Sequence, residues 1–123
     1  VKSTVYAADF NWDLMLELSE YTKIKYQEVS KFPEVRRDLS LLVNNSVSFD
    51  ELRKIALATD NKILKSVNLF DVYEGDKLPE GKKSYALSFI MADDTKTLTD
   101  IYVDKLMQKL MSSFSDKLGS EIR

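Results

Sequence analysis

Alternating apolar and polar positions, broken twice by helical spacing, organise most of this chain. From Arg37 to Val43, Leu39, Leu41 and Val43 share one face, and Asp38, Ser40 and Leu42 share the other. The pattern predicts a strand. Ser48-Phe49-Asp50-Glu51 then has the form of a capping box, with Ser48 as the cap and Glu51 at the third helical position. Val47 and Leu52 carry the spacing of a hydrophobic staple, and Leu52, Ile55 and Ala56 form the buried stripe of a helix that Asp60-Asn61 ends. A second strand is predicted over Leu64 to Tyr73. Its alternation is imperfect, because Val67 and Leu69 share parity with Asp71 and Tyr73. Either a bulge lies between them or the first part of that face is covered. Phe70 and Val72 are expected to point into the core.

Gly75 to Gly81, with Pro79 inside, reads as a loop leading to a third strand from Lys83 to about Met91. Tyr85, Leu87, Phe89 and Met91 are its core face, and Ser84, Ala86 and Ser88 are a face of small residues. Val103, Leu106, Met107, Leu110, Phe114 and Leu118 recur at helical spacing and predict the longest helix. Thr99 is placed to cap it, with Leu98 and Val103 as staple, and Gly119 suits the left-handed position after it. Ser120 to Arg123 reads as a last short strand.

The opening is different. Val5-Tyr6-Ala7-Ala8-Asp9-Phe10 reads as a strand, and Asn11 or Asp13 could cap a short helix carrying Leu14, Met15 and Leu18. Tyr21 to Lys31 is a polar connector ending at Phe32-Pro33. The chain starts at Val1 without an initiator methionine, so residues 1–30 read as the strand-helix-linker tail of a preceding module and residues 31–123 as the main domain. A processed terminus is the alternative. The order strand, helix, strand, strand, helix, strand in the main domain is the split βαβ arrangement. The expected class is α+β. Two helices cover one face of a four-stranded antiparallel sheet in a ferredoxin-like βαββαβ sandwich, and the other face is left open.

Composition narrows the chemistry. With 123 residues and a formal net charge of −2, the chain is no basic nucleic-acid clamp, so any RNA binding depends on local groups. The absence of cysteine excludes disulfides, thiolate catalysis and cysteine-ligated zinc, and fits a reducing cytosol. Lacking histidine, the chain has neither the usual general base nor the commonest zinc ligand. No apolar run is long enough to span a bilayer, and no signal peptide is visible.

The most informative stretch is Phe70-Asp71-Val72-Tyr73-Glu74-Gly75, followed by Gly81-Lys82-Lys83-Ser84. Asp71 and Tyr73 are two apart and share a strand face. An aromatic ring beside a carboxylate suits an unstacked nucleobase, since the ring stacks on it and the carboxylate accepts from its N–H edges. Taken alone, the pair also fits two exposed side chains near a strand end.

Five ordered motifs carry a family resemblance: Phe32-Pro33-Glu34-Val35-Arg36-Arg37-Asp38-Leu39, Phe70 to Gly75, Gly81-Lys82-Lys83-Ser84-Tyr85-Ala86-Leu87, Leu98-Thr99-Asp100, and Leu118-Gly119-Ser120-Glu121-Ile122-Arg123. From about residue 31 to 123 the chain resembles the ferredoxin-fold anticodon-binding domain at the C-terminus of bacterial phenylalanyl-tRNA synthetase beta subunits. The resemblance implies a cytoplasmic role in aminoacylation of phenylalanine tRNA, with the domain gripping the anticodon. It implies no cofactor for this domain. The ATP- and magnesium-dependent chemistry would lie in an alpha subunit, within a heterotetramer of two alpha and two beta chains. Carried over by position, Tyr73 matches a tyrosine that stacks on an anticodon base. Asp71 matches an acid that hydrogen-bonds a base, Ser84 matches a base-contacting serine, and Ser40 falls near a small residue lining the same surface. Arg36, Arg37, Lys82 and Lys83 lie at strand starts and could meet phosphates, or serve as solvated charge or structural ion pairs.

Two other classes compete. A ligand-sensing or dimerising module of the same fold would use sheet edges and loops, and the acidic balance favours it mildly. A small phosphate-ester hydrolase is disfavoured by the missing histidine and cysteine and by the lack of a glycine-rich phosphate loop.

Overall fold

The computed structural model describes residues 4–22, 25–26 and 30–123. Part of the expected connector over residues 21–31 therefore lies outside the described residues, as do the first three positions of the expected tail. The elements in order are α1 (Trp12–Glu20), β1 (Val35–Asn44), α2 (Phe49–Thr59), β2 (Leu64–Tyr73), β3 (Lys82–Met91), α3 (Asp100–Leu118) and β4 (Glu121–Ile122). The strands form one antiparallel sheet in the order β2-β3-β1-β4. This is the expected ferredoxin-like α+β fold.

The local signals act as the sequence predicts. The Ser48 hydroxyl accepts from the Glu51 N–H, and the Glu51 carboxylate accepts from the Ser48 N–H at 2.7 Å, so both halves of the capping box form. These bonds to Ser48 hold the Glu51 carboxyl below its usual range. Gly119 ends α3 at φ 59°, in the left-handed region that favours glycine. Thr99 occupies the cap position of α3 but makes no side-chain capping bond. Buried Leu98 and Val103 flank that turn.

One side of the sheet meets both helices of the sandwich. Leu41, Leu87, Phe89 and Met91 from the strands pack with Leu52 and Ala56 of α2 and with Val103, Leu110 and Phe114 of α3. The Phe89 and Phe114 rings lie 6.2 Å apart at a tilt. Truncating either to alanine removes roughly 3–5 kcal/mol by lost transfer energy and cavity formation.

Two expectations are corrected. Residues 4–10 are irregular and exposed, although Val5 to Phe10 was expected to form a strand. A strand persists where a neighbour satisfies its N–H and C=O groups, and the paired strands of the described residues do not include this segment. Asn11, one of the two expected caps, does start α1 by accepting from the Leu14 N–H. Every residue of α1 is exposed.

The second correction concerns Phe70 and Val72, which were expected in the core and are 55% and 44% exposed. The register of β2 against β3 shifts between Leu64 and Ser66 and again between Leu69 and Asp71. Lys65 and Phe70 are the extra residues of two bulges. The second bulge explains the broken alternation: Leu69 pairs with Leu87 on the core side, while Asp71 and Tyr73 pair with Ala86 and Ser84 on the open side. Phe70 is thereby left out of the core, and Val72 lies at the end of an edge strand.

Candidate nucleic-acid interface

The open face is a grid of short side chains. In one row Tyr73, Ser84 and Leu42 lie side by side across β2, β3 and β1; in the next come Asp71, Ala86 and Ser40. Arg123 extends the second row, its N–H donating to the Ser40 carbonyl at 3.0 Å just beyond β4. Together Ser40, Asp71, Tyr73, Lys77, Ser84, Ala86 and Arg123 line an open depression of about 420 Å³. The structure therefore brings together all four residues expected to contact bases. The floor is short because Ser40, Ser84 and Ala86 are small, and this gives a planar group room to lie against the sheet.

Tyr73 is 38% exposed and its ring is held from two directions. The Arg123 guanidinium sits 5.7 Å from the ring centroid, within cation–π range. Gly75 lies under the phenol: a Cβ at that position would come within 2.8 Å of the Tyr73 hydroxyl and 3.0 Å of the ring carbon bearing it. The φ of Gly75 is not positive, so this glycine matters for the room it leaves and not for its backbone angle.

The four cations expected near phosphates separate by register. Arg36 pairs with Ile90 and Lys82 with Asn44 in the rows of the open face, whereas Arg37 and Lys83 project to the helix-covered side opposite Phe89 and Val43. All four are engaged. The Asp38 carboxylate binds Arg36 through two bonds, at 2.9 and 3.2 Å, and raises the guanidinium above its ordinary value. Arg37 pairs with Asp100 at the start of α3, Lys82 with Glu121, and Lys83 donates to the Asn45 carbonyl while lying over the Tyr85 ring. The strand register thus separates Arg37 and Lys83 from the depression.

Lys77, Ala86 and Arg123 line the site and were not singled out as site residues from the sequence. Ala86 follows from the parity of β3. Arg123 could have been found from the short last strand, which must pair beside Ser40 to complete the sheet. Lys77 lies in a loop without periodicity and gave no signal. A second, more apolar groove runs between α3 and β4, lined by Gln108, Met111, Ser112, Ser115, Ser120, Glu121 and Ile122. No helix among the described residues is long and apolar enough to cross a membrane.

Comparison with known proteins bears on the whole chain. The beta subunit of phenylalanine–tRNA ligase from Bacteroides fragilis is 50% identical over all 123 residues. The proteins of the same name from Porphyromonas gingivalis and Clostridium acetobutylicum are 42% and 38% identical over the same length. The chain spans about 15% of the length of each of these relatives. Residues 30–123 match the ferredoxin-fold anticodon binding domain. With that match covering most of its length, the chain belongs to the ferredoxin-fold anticodon binding domain family.

Proposed function

We propose that this chain serves a phenylalanine–tRNA ligase beta subunit by reading the anticodon of phenylalanine tRNA on the open face of its sheet. The observation that carries the reading is the convergence of Tyr73, Asp71, Ser84 and Ser40 on one open depression. Each residue has a role that its chemistry fits. The Tyr73 ring stacks on an unstacked base. The Asp71 carboxylate accepts from the base's N–H edge, and the Ser84 and Ser40 hydroxyls add donors or acceptors on a floor low enough for the base to lie flat. Arg36 and Lys82, on the open face, are the phosphate contacts of this reading, joined by Lys77 and Arg123 at the depression. Arg37 and Lys83 act as structural cations on the covered side.

In this reading, activation of phenylalanine with ATP and magnesium occurs in an alpha subunit. The parent is a cytoplasmic heterotetramer of two alpha and two beta chains. We place no catalytic step on this chain. Its contribution to aminoacylation is to bind and orient the tRNA.

The test is tRNA binding by Tyr73 variants. Tyr73→Ala should weaken binding by roughly 1–3 kcal/mol, the worth of one stacked base, and lower kcat/KM for charging in the assembled ligase. Tyr73→Phe should change little, because stacking needs the ring and not the hydroxyl. A Tyr73→Ala ligase that charges phenylalanine tRNA like the wild type would remove the stacking assignment. The competing module, a ligand-sensing or dimerising one, draws on the apolar groove between α3 and β4, where the buried Ser120 hydroxyl has no partner among the described residues. It predicts self-association or ligand binding unaffected by Tyr73, with no protection of the anticodon loop.

A further inference from the structure

We infer that the open face carries a second base-stacking station, built from Phe70 and Arg36, which takes the nucleotide adjacent to the one at Tyr73. The inference rests on the anticodon-reading function proposed above and extends its footprint. Three observations converge on it. The bulge in β2 turns Phe70 out of the core, so that an unsubstituted aromatic ring is more than half exposed beside Asp71. An apolar ring so exposed gains nothing from water. Second, the Arg36 guanidinium lies 5.7 Å from the Phe70 centroid, reaching it from the open-face row that Arg36 shares with Ile90. The bidentate pair with Asp38 fixes the guanidinium in that place.

Third, the station repeats the pattern at Tyr73. There, a β2 aromatic stands beside a small β3 residue, with a carboxylate near and an arginine 5.7 Å over the ring. At the second station the aromatic is Phe70 and the arginine is Arg36, held by the Asp38 carboxylate, which faces the small residue Ser88 across β1 and β3. Asn68 pairs with Ser88 in the same row and adds an amide that can both donate and accept.

Spacing decides what kind of ligand fits both. Tyr73 and Phe70 are three residues apart on β2, roughly 10 Å along a strand. Bases in a continuous stack are only ~3.4 Å apart. Two such stations cannot be filled by a helical stack, but they can be filled by neighbouring bases splayed from a single-stranded loop, the form in which RNA is read by sequence. Neither station admits a base between its ring and its arginine, since two stacked layers need ~7 Å. The base therefore takes the exposed side of the Phe70 ring, and Arg36 serves as the charge behind it.

The test uses the full chain and a hairpin RNA with the anticodon loop of phenylalanine tRNA, carrying 2-aminopurine at one loop position at a time. Phe70→Leu keeps the apolar bulk and removes the flat ring, and should weaken binding roughly 5- to 150-fold without lowering the melting temperature. Phe70→Tyr should bind like the wild type. Stacking quenches 2-aminopurine, so Phe70→Leu should restore fluorescence at one loop position and Tyr73→Ala at its neighbour. If Tyr73→Ala loses affinity and Phe70→Leu does not, the second station is overturned and the first stands. The second station is likewise overturned if Phe70→Leu and Phe70→Tyr lose affinity and thermal stability together. If neither position matters, or the wild-type chain binds no hairpin, the anticodon reading itself falls and this inference falls with it.

Discussion

Gly75→Ala tests how tightly the site geometry is set, because it perturbs Tyr73 without touching it chemically. The new methyl would sit 2.8 Å from the Tyr73 hydroxyl. Reaching an ordinary contact of about 3.5 Å requires the phenol to move by about 0.7 Å. The backbone at Gly75 accepts alanine, since its φ is not positive, and losing a glycine lowers the entropy of the unfolded chain by about 0.4–1 kcal/mol in free-energy terms. The clash is relieved at the far end of one side chain. Net stability should therefore change by less than about 1 kcal/mol. Stacking is affected differently. A radial gap of 0.5–1 Å forfeits roughly a quarter to a half of a dispersion contact. Applied to a stacked base worth about 1–3 kcal/mol, that is a loss of about 0.3–1.5 kcal/mol, or roughly 2- to 12-fold in affinity. The assay is equilibrium binding of the anticodon hairpin, with melting temperature as the control. In a Tyr73→Phe background the nearest atom is gone, so the effect of Gly75→Ala should shrink. Wild-type affinity in the Gly75→Ala single variant, or equal losses in both backgrounds, would refute the view that Gly75 seats the ring.

Other outcomes follow from the same structure. Gly119→Ala forces a Cβ onto a residue at φ 59° and should cost roughly 1–2 kcal/mol, read from chemical denaturation. Because the bonds to Ser48 lower the Glu51 pKa, its stabilisation is complete above the ordinary glutamate value near 4.3 and is lost as pH falls through the folded value. The melting-temperature gap between wild type and Glu51→Ala should accordingly narrow on acidification from about pH 7 to below about pH 4. Hairpin binding should show a log–log salt slope of roughly −1.5 to −3, since about two to four phosphates are neutralised; a slope steeper than about −5 would require a broad basic surface.

The covered side of the sheet was legible because burial imposes a period. Leu39, Leu41 and Val43 in β1 and Tyr85 to Met91 in β3 declare their face, and the register confirms it. The capping box was legible because it is a local exchange of two hydrogen bonds that needs no tertiary partner. The imperfect alternation in β2 gave away the bulge, but not its consequence. Parity counting sent Phe70 inward, since an extra residue cannot be located from composition alone when apolar residues stand on both sides of it. The opening segment failed for the opposite reason. Val5 to Phe10 has strand composition, yet a strand is a property of a pair. The spacing of Asp71 and Tyr73 put a ring and a carboxylate on one face, and the family resemblance added Ser84 and Ser40, while Arg123 and Gly75 belong to the site through contacts made across the sheet and across a turn.

Charge placement explains how an acidic chain can be read as an RNA-binding one. Five of the described cations pair with carboxylates of the chain itself: Arg36 with Asp38, Arg37 with Asp100, Lys54 with Asp50, Lys65 with Asp94 and Lys82 with Glu121. A surface so neutralised attracts phosphate weakly at long range. What remains on the open face is short-range: two rings, each backed by an arginine, over a floor of serine and alanine. Edge hydrogen bonds discriminate among bases, whereas stacking on a ring accepts any base and phosphate contacts carry no sequence. On the proposed reading, Asp71, Ser84 and Ser40 therefore supply the discrimination, and the rings supply contact that any base could share.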